Sequence, residues 1–364
     1  MEETKKGRVV VGMSGGVDSA VAAYLLKEQG YDVIGVTLRT WQAADGSEGR
    51  CCEIDDAAQA CRVLGVRHHA FNGTFAFNEH VIEPFVRDYC AGLTPNPCIG
   101  CNRFVKWELL QHFGRTLGAD YVATGHYAHV VRLPDGRYTV KTAAHAEKDQ
   151  TYMLCRLTQE QLAATLMPLG DLTKAQVRAI ASEAGIPVAD KPDSQEICFI
   201  PDGKPADFIR ETAPGKDPGE GWFVDENGNR LGRHKGITHY TVGQGKRLGI
   251  ALGYHAYVSR IDAAKNEVTL GGPESLWRKT VLCDELNWMG LPGLAAGQIL
   301  RAKAKIRYHH PAAPAEISLT EEGLLRIVFD EPVRAPAPGQ AAAVYDEDGC
   351  VLCGGRIRRC FASQ

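Results

Sequence analysis

The sequence lacks the features that mark membrane and exported proteins. No apolar run approaches the roughly 20 residues that a helix needs to span a bilayer. Residues 1–7 are charged and contain no apolar segment of the kind found in signal peptides. Internal repeats are absent as well. We therefore expect a cytoplasmic protein with no membrane-bound part.

Cysteine, by contrast, is plentiful, with 12 residues in a chain of 364. Small exported proteins use such numbers as a disulfide scaffold, but a long chain without an export signal is expected to keep its thiols reduced. Catalysis and metal binding then become the uses to consider for individual cysteines. A chain of 364 residues is longer than a domain with a single hydrophobic core usually is, so two or three domains are expected.

Strand-like and helix-like segments alternate over residues 1–205, which favours an α/β domain with a doubly wound, mostly parallel sheet. Strands are expected at Arg8–Gly12, Val33–Leu38, Val66–Ala70 and Asp120–Thr124, with a hairpin strand at Tyr138–Lys141. Helices are expected at Asp18–Gln29, Asp55–Leu64, Phe77–Ala91, Arg103–Leu117 and Thr173–Ala184.

The character of the sequence changes after residue 205. Short strand-like segments separated by Asn-Gly, Gly-Gly and Pro-Gly turns predict a small central domain over 206–275 and an all-β, barrel-like domain over 276–364. Residues 230–310 contain 13 Lys/Arg against 5 Asp/Glu, although the whole chain has a net charge of −3. This local excess favours a phosphate-binding surface, with a solvated face as the alternative.

A glycine-rich loop joins the first expected strand to the first expected helix. It reads Gly12-Met13-Ser14-Gly15-Gly16-Val17-Asp18-Ser19. Glycines let a backbone approach an anion closely, and the N–H groups at a helix start bind phosphate. The loop has neither the Gly-Lys-Ser/Thr of a Walker motif nor the dinucleotide-binding fingerprint. It predicts a different class of phosphate-binding site, in which Asp18 orients the loop or holds Mg²⁺.

Two cysteines occupy further loops. Cys101 precedes the helix expected at Arg103–Leu117, where a helix N-terminus can lower the pKa of a thiol. Cys198 follows the helical part of the first domain. A single cysteine is more often a small buried apolar residue than a catalyst, so the residues alone leave both uses open.

Taken together, the motifs of the chain resemble those of a known family. The glycine-rich loop alone is similar to that of the PP-loop pyrophosphatases, which cleave ATP between its α- and β-phosphates. Further motifs are Asn96-Pro97-x-x-x-Cys101-Asn102, Ala123-Thr124-Gly125-His126-Tyr127-Ala128, Lys148-Asp149-Gln150, Ser194-Gln195-Glu196-Ile197-Cys198-Phe199, His239-Tyr240-Thr241-Val242-Gly243-Gln244 and Lys305-Ile306-Arg307-Tyr308. In this order, and over nearly the whole chain, the set resembles the tRNA-specific 2-thiouridylase family.

The resemblance implies an activity and its reactants. A tRNA-uridine 2-sulfurtransferase of this family uses ATP and Mg²⁺ to adenylate O2 of the wobble uridine in tRNAs of the Lys, Glu and Gln types. Cys198 would carry a persulfide sulfur received from an upstream donor protein. Cys101 would be the second thiol, forming a disulfide with Cys198 as sulfur is released, while AMP and pyrophosphate leave.

The resemblance also implies binding residues. Leu38 and Gly125 would lie near the nucleotide, beside the glycine-rich loop. Contacts with tRNA or with its target base would come from Asn96, Pro97, Cys98, His126, Lys148, Asp149, Gln150, Arg307, Tyr308 and Gln340.

Cys98 is a departure from the family, many members of which carry Asp at this position. With Cys101 it forms a Cys-x-x-Cys pair, and with Cys198 it makes three thiols, enough to anchor an iron–sulfur cluster. The alternative is a spare thiol beside the nucleophile. Cys350 and Cys353 are interpreted as packing residues, because no second pair of zinc ligands is evident.

Two other functions stay open on the sequence. A PP-loop amide or amidine ligase with a nitrogen nucleophile would need neither Cys101 nor Cys198. A non-catalytic RNA-binding protein with a relic ATP loop would bind tRNA without releasing AMP.

Overall fold

A computed structural model describes residues 6–41, 53–189, 191, 197–200 and 203–362, which form two compact units. The first unit comprises Met1–Val81, Cys98–Pro201 and Asp348–Val351. The second comprises Ile82–Pro97, Asp202–Glu347 and Leu352–Gln364. Among the described residues, no helix combines the length and the apolar character that crossing a membrane requires.

The strands of the described residues are β1 (Arg8–Gly12), β2 (Asp32–Arg39), β3 (Arg67–Asn72), β4 (Tyr121–Ala123), β5 (His129–Arg132), β6 (Tyr138–Lys141), β7 (Thr165–Leu166), β8 (Gly221–Val224), β9 (Arg230–His234), β10 (Tyr257–Asp262), β11 (Glu267–Gly271), β12 (Trp277–Trp288), β13 (Leu300–Lys305), β14 (Ala313–Leu319), β15 (Leu325–Arg334), β16 (Ala341–Tyr345) and β17 (Val351–Phe361).

The α-helices of the same residues are α1 (Val17–Glu28), α2 (Ile54–Leu64), α3 (Thr74–Phe77), α4 (Glu83–Cys90), α5 (Pro97–Gly100), α6 (Glu108–Thr116), α7 (Thr151–Leu154), α8 (Gln159–Ala163), α9 (Lys174–Glu183) and α10 (Pro205–Thr212). The segments Asn78–Ile82 and Cys101–Trp107 are π-helical.

The first unit is built on a parallel sheet in the order β3-β2-β1-β4-β7. The centre of β1 is completely buried, as expected for a strand with helices on both faces. Val9 and Val11 belong to a core shared with α1 and α2, whereas Val10 faces Gly114 of α6. The predicted doubly wound α/β sheet is therefore confirmed. The hairpin strand β6 also forms as predicted, paired with β5.

Two predicted helices differ from the observed ones. The helix expected at Phe77–Ala91 begins earlier, at Thr74, and widens into the π-helical segment Asn78–Ile82 before α4. Pro84 lies in the first turn of α4 and has no N–H to donate, which accounts for the change of helix type at this point. The helix expected at Arg103–Leu117 begins at Pro97 instead.

The second unit contains two β structures. Strands in the order β10-β11-β8-β9 form a small sheet, whose core includes Phe223, Val258 and Val268. Strands in the order β12-β15-β14-β13-β16-β17 close into a barrel, which confirms the C-terminal all-β prediction. Cys353 lies in the barrel core and Cys350 is buried as well, in agreement with their interpretation as packing residues. Cys51 and Cys52 lie outside the described residues.

Candidate active site

The glycine-rich loop, residues 12–19, follows the carboxyl end of β1, which has β2 on one side and β4 on the other. Ligands of open α/β sheets bind at such a switch point, outside the carboxyl ends of the strands. Leu38 lies near the end of β2, and Gly125 follows β4. The three segments predicted to bind the nucleotide are therefore on neighbouring strands, at one edge of the sheet.

Hydrogen bonds within the loop shape its backbone. The Ser19 hydroxyl donates to the Gly16 carbonyl at 3.0 Å and accepts from the Ser14 N–H at 3.2 Å. No described residue accepts a hydrogen bond from the N–H groups of Gly15, Val17, Asp18 or Ser19. Free N–H groups at the start of α1 are the donors that a phosphate group requires.

Two glycines allow neighbouring segments to approach the loop. Gly15 has a φ of +79°, and a Cβ there would lie 2.7 Å from the Glu53 backbone oxygen. A Cβ on Gly125 would lie 2.6 Å from the Ser19 nitrogen and from the Asp18 carbonyl carbon. Any larger residue at 125 would displace the loop, so this position requires glycine whether or not it also contacts the nucleotide.

Asp18 is held by two donors from outside the loop. The Lys174 ammonium lies 2.7 and 2.8 Å from the two carboxylate oxygens, and the Tyr127 hydroxyl donates to one of them at 2.7 Å. The exposed fractions of the two charged side chains are only 14% for Lys174 and 31% for Asp18. Lys174 is not among the site residues that the sequence motifs predict. One local feature does indicate an unusual role for Lys174. It directly follows the Thr173 cap of α9, where the helix dipole disfavours a cation.

This pairing bears on the two roles predicted for Asp18. Both carboxylate oxygens already contact an ammonium group, so the geometry favours orientation of the loop over binding of Mg²⁺. In the described ranges, no three His, Cys, Asp or Glu residues are grouped so that they could hold a metal ion. Mg²⁺ bound with a nucleotide commonly takes most of its ligands from phosphate oxygens and water, and this site fits only that mode.

The segment Lys148-Asp149-Gln150 connects to the same network. The Gln150 N–H donates to the Tyr127 carbonyl at 3.0 Å, and the Gln150 amide oxygen accepts from the Tyr127 N–H at 2.9 Å. Asp149 is buried and accepts from the Thr151 hydroxyl at 2.7 Å. The side chains of Asp149 and Gln150 thus support the fold beside the loop. Their contacts with tRNA, like that of Lys148, stay predictions.

His126, directly after Gly125, is held in its neutral form. Its Nδ1 lies 2.8 Å from the Thr124 hydroxyl, and its ring is 5.5 Å from that of Trp107. Burial, and after it the charge of Lys106, lowers the pKa of His126 to about 3. A neutral imidazole brings no positive charge to a phosphate. The tRNA contact predicted for His126 would therefore be a hydrogen bond or a stacking contact.

Cys101 lies inside a helix rather than before one. The helical run starts at Pro97, a residue suited to the first helical position because it has no N–H to leave unpaired. Cys98 lies in the first turn and is exposed, whereas Cys101 begins the π-helical segment and is 8% exposed. The expectation that Cys101 stands at a helix N-terminus is therefore wrong, because the helical run begins one turn earlier, at Pro97.

Cys198 lies in a tight turn that an aromatic ring anchors. The Ile200 N–H donates to the Ile197 carbonyl at 2.9 Å. Phe199 is 3% exposed and packs edge-on against Phe77, with ring centroids 5.6 Å apart. Cys198 itself is half-buried. The turn is thus fixed while its thiol keeps access to solvent. Residues 192–196, which precede the turn, lie outside the described residues.

Cys98, Cys101 and Cys198 all belong to the first unit. All three are among the described residues, and none belongs to a group that could hold a metal ion. Their arrangement therefore does not fit an iron–sulfur cluster, and no chemistry is derived through one.

Gln340, in the second unit, supports the segment that carries two predicted base contacts. Its side-chain amide donates to the Thr94 carbonyl at 2.8 Å, and the Thr94 N–H donates to the Pro338 carbonyl at 2.8 Å. Gly339 has a φ of +95°, and a Cβ there would lie 2.9 Å from the Thr94 nitrogen. The loop before β16 therefore holds the backbone at Thr94, two residues before Asn96. No pattern in the sequence indicates this support, because the contact joins distant parts of the chain.

The basic strand β13 is less available to RNA than its sequence suggests. Arg301 makes a two-pronged ion pair with Asp330 at 2.8 and 2.6 Å, and Lys303 pairs with Glu347 at 2.6 Å. The Lys305 ammonium instead lies 5.5 Å from the ring centroid of Tyr308. The Arg307 guanidinium donates to the Val242 carbonyl at 2.7 Å, which ties the barrel to the 236–249 loop. The predicted contacts of Arg307 and Tyr308 with tRNA stay predictions.

Three family models match successive parts of the chain. Residues 7–202 match the model described as the tRNA methyl transferase HUP domain. Residues 206–272 match the tRNA methyl transferase PRC-barrel domain, and residues 278–357 match the aminomethyltransferase beta-barrel domain. The domain boundaries after residues 205 and 275 stay a prediction, since the contacts within the chain divide it differently.

Similarity to solved structures is low. The U34-tRNA thiolase NcsA from Methanococcus maripaludis with its [4Fe-4S] cluster has a TM-score of 0.35 and 18% identity, over 58% of this chain and 68% of that one. A likeness at this level supports no conclusion about the cofactors of this chain.

Similarity to curated proteins is high and covers almost the full length. The tRNA-specific 2-thiouridylase MnmA of Lachnoclostridium phytofermentans is 49% identical over 96% of this chain and 99% of the relative. The proteins of that name from Acetivibrio thermocellus and Clostridioides difficile are 48% and 46% identical, over 97% and 96% of this chain and 99% and 97% of the relatives. With the glycine-rich loop at the switch point and the motifs in the same order, this chain belongs to the tRNA-specific 2-thiouridylase MnmA family.

Proposed function

We propose that this protein catalyses the ATP-dependent 2-thiolation of the wobble uridine of tRNA, as a tRNA-uridine 2-sulfurtransferase. The observation that carries the proposal is the presence, in one compact unit of a chain from this family, of a phosphate-binding loop and the two cysteines Cys101 and Cys198. A nitrogen-transferring ligase has no use for these thiols, and a relic loop has no need of its free N–H groups.

In the first step, uridine O2 attacks the α-phosphorus of ATP. The bond from that phosphorus to the oxygen bridging to the β-phosphate breaks, and pyrophosphate leaves with the electron pair while the proton on uridine N3 passes to solvent. The N–H groups of the glycine-rich loop bind the pyrophosphate portion. Mg²⁺ arrives with the nucleotide and neutralises part of its charge. Adenylation turns a poor leaving oxygen at C2 into a good one.

In the second step, sulfur replaces that oxygen. Cys198 carries a persulfide, and the Cys101 thiolate attacks the Cys198 sulfur, so that a Cys101–Cys198 disulfide forms and hydrosulfide is released. The hydrosulfide attacks C2, the C2–O bond breaks, and AMP leaves with the electron pair. The hydrosulfide proton ends on N3. A thiol reductant then restores both cysteines, and the upstream donor protein reloads Cys198.

The substrate and partners follow from the same proposal. The substrates are tRNAs of the Lys, Glu and Gln types that carry uridine at the wobble position. The target base must leave the anticodon stack to reach the nucleotide. Asn96, Pro97 and Cys98 are proposed to contact this base, with the protein acting in the cytoplasm. Methyl transfer, which two family-model descriptions name, would use neither the loop nor the two thiols.

Incubation with unmodified tRNA, ATP and sulfide, followed by nucleoside analysis, tests the proposal. We expect 2-thiouridine together with equimolar AMP. With a protein persulfide donor in place of sulfide, Cys101→Ser and Cys198→Ser should each abolish the product. The absence of 2-thiouridine from reactions of the wild-type protein, both in air and under anaerobic conditions, would refute the proposal.

Cys98→Asp separates persulfide transfer from an iron–sulfur mechanism. The substitution removes one of the three candidate cluster ligands and introduces the residue that many family members carry. We expect the variant to keep 2-thiouridine formation within about threefold of wild type, since a polar side chain remains next to the base. Iron that is retained by the anaerobic wild-type protein and needed for its activity, with an inactive Cys98→Asp variant, would establish the cluster instead.

A further inference from the structure

Lys174 lies beside the glycine-rich loop, and no step of the proposed reaction uses it. Its ammonium spans both oxygens of Asp18, a residue of the loop itself, and its side chain is 14% exposed. Asp18 and Lys174 are 156 residues apart, and they bring the first turns of α1 and α9 together. No sequence motif that points to ATP includes this lysine.

The position of Lys174 costs stability unless the lysine has an anionic partner. A cation in the first turn of a helix opposes the helix dipole, and a largely buried ammonium loses hydration. Asp18 compensates for both effects. The reverse also holds: a carboxylate within a phosphate-binding loop repels its ligand unless a cation neutralises it. The Asp18–Lys174 pair therefore affects the binding of phosphate, which an ion pair elsewhere on the surface would not.

We propose that Lys174 binds the pyrophosphate portion of ATP, bridging it to Asp18, an inference that rests on the proposed ATP-dependent function. An ammonium group carries three N–H donors and is a compact charge, so it can contact a carboxylate and a phosphate oxygen together. When the bond between the α-phosphorus and the bridging oxygen breaks, the electron pair stays on pyrophosphate. The ammonium group of Lys174 stabilises the charge that develops there.

The test compares Asp18→Asn with the double variant Asp18→Asn/Lys174→Met. The single variant leaves Lys174 in place, and the double variant removes it without leaving a buried carboxylate unpaired. Titration calorimetry measures the binding of magnesium pyrophosphate and, separately, of AMP to each protein without tRNA. We expect the double variant to bind pyrophosphate about tenfold or more weakly than the single variant, because a charge-assisted contact is lost. Its affinity for AMP should change by less than about twofold, since AMP lacks the groups that Lys174 contacts.

Lys27→Met, in the wild-type background, is the matched control. Lys27 lies in the last turn of α1 and donates to the Leu64 carbonyl at 2.6 Å, so the substitution removes the same charge from the same unit at the far end of the helix. The pyrophosphate affinity of this variant should match that of wild type within about twofold.

Equal pyrophosphate affinities of the single and double variants would overturn the assignment and leave the pair a structural one. Parallel losses of pyrophosphate and AMP binding in the double variant would also overturn it, as general damage to the site. The binding test involves no sulfur or tRNA. A wild-type protein that binds pyrophosphate through Lys174 but forms no 2-thiouridine would refute the proposed function alone.

Discussion

Asp18 and His126 are two ionisable residues beside the glycine-rich loop, and their surroundings differ. Asp18 contacts the Lys174 ammonium and the Tyr127 hydroxyl. Burial, and after it the charge of Lys106, disfavours the cationic form of His126, so its pKa falls to about 3. The site is therefore expected to keep a neutral imidazole at neutral pH.

The low pKa of His126 makes stability depend on pH. The folded pKa lies below the ordinary value of 6.5, so between these limits the unfolded chain binds a proton that the folded chain does not. The contribution is complete above pH 6.5 and is lost as the pH falls toward 3. We expect the free energy of unfolding to decrease by about 1.4 kcal/mol per pH unit below 6.5 from this residue alone.

Urea unfolding of wild type and His126→Asn at several values between pH 7.5 and pH 5 measures this contribution. Other titrating groups act on both proteins, so they cancel in the difference. The stability gap between the two should shrink as the pH falls. A gap that stays constant over this range would show that His126 is protonated in the folded protein as readily as in the unfolded one.

At the scale of elements, the two thiols are held in different ways. Cys101 is built into a helix that starts at Pro97 and changes to π-helical geometry at the cysteine itself. Cys198 belongs to a turn that a hydrogen bond from Ile200 to Ile197 closes. Its position depends on the burial of Phe199 against Phe77 and Trp41. A turn can present a thiol to solvent, which suits the proposed transfer of sulfur to Cys198 from another protein.

Phe199→Ala should therefore harm sulfur transfer through structure, although the substitution removes no reactive group. Loss of a buried phenyl ring costs about 3 kcal/mol and frees the turn that carries Cys198. We expect a lower free energy of unfolding and slower 2-thiouridine formation, with ATP binding retained. Urea unfolding, thiolation rates and nucleotide titration give the three readouts.

Phe75→Ala is the control for this substitution, because Phe75 is 80% exposed in the same unit. It should change stability by no more than about 0.5 kcal/mol and leave thiolation intact. Equal effects of the two substitutions would argue against an anchoring role for Phe199.

At the scale of the whole molecule, distant segments make up each unit. The second unit includes residues 82–97, which leave the first unit, form α4 and return at α5. Asp88 of α4 pairs with Arg356 of β17 at 2.7 Å, and the two residues are 268 positions apart. Their side chains are 9% and 20% exposed, and Arg356 also contacts Glu285 at 3.1 Å.

Arg356→Met should destabilise the second unit by about 3 kcal/mol, because it leaves the buried Asp88 carboxylate with only the exposed Arg87 guanidinium, at 3.3 Å, as a cationic partner. Arg301→Met is a matched control on the same barrel. Arg301 is 58% exposed and pairs with Asp330 at the surface, where such pairs contribute less than about 1 kcal/mol. Urea unfolding of both variants measures the contrast. Comparable losses would mean that Asp88 is well hydrated or finds another donor.

Local patterns of the sequence were enough for much of the fold. β1 and β6 follow from apolar and alternating runs, and α9 from its Thr173 cap and the glycine after it. These signals depend on residues a few positions apart, whose geometry the backbone itself limits. The helix around Cys101 starts earlier than predicted, because Pro97 takes the first helical position, which proline favours, rather than a place in a loop.

The sequence by itself determined the parallel sheet, the position of the glycine-rich loop between β1 and α1, the C-terminal barrel and, through the order of its motifs, the family. Only the tertiary structure decided which residues hold Asp18, how Phe199 anchors the turn of Cys198, and that the loop of Gln340 supports Thr94. The physical reason is the same in each case. Such contacts join side chains that are far apart in the chain, and neither partner carries a local signal of the other until the packed units bring them within hydrogen-bond or van der Waals distance.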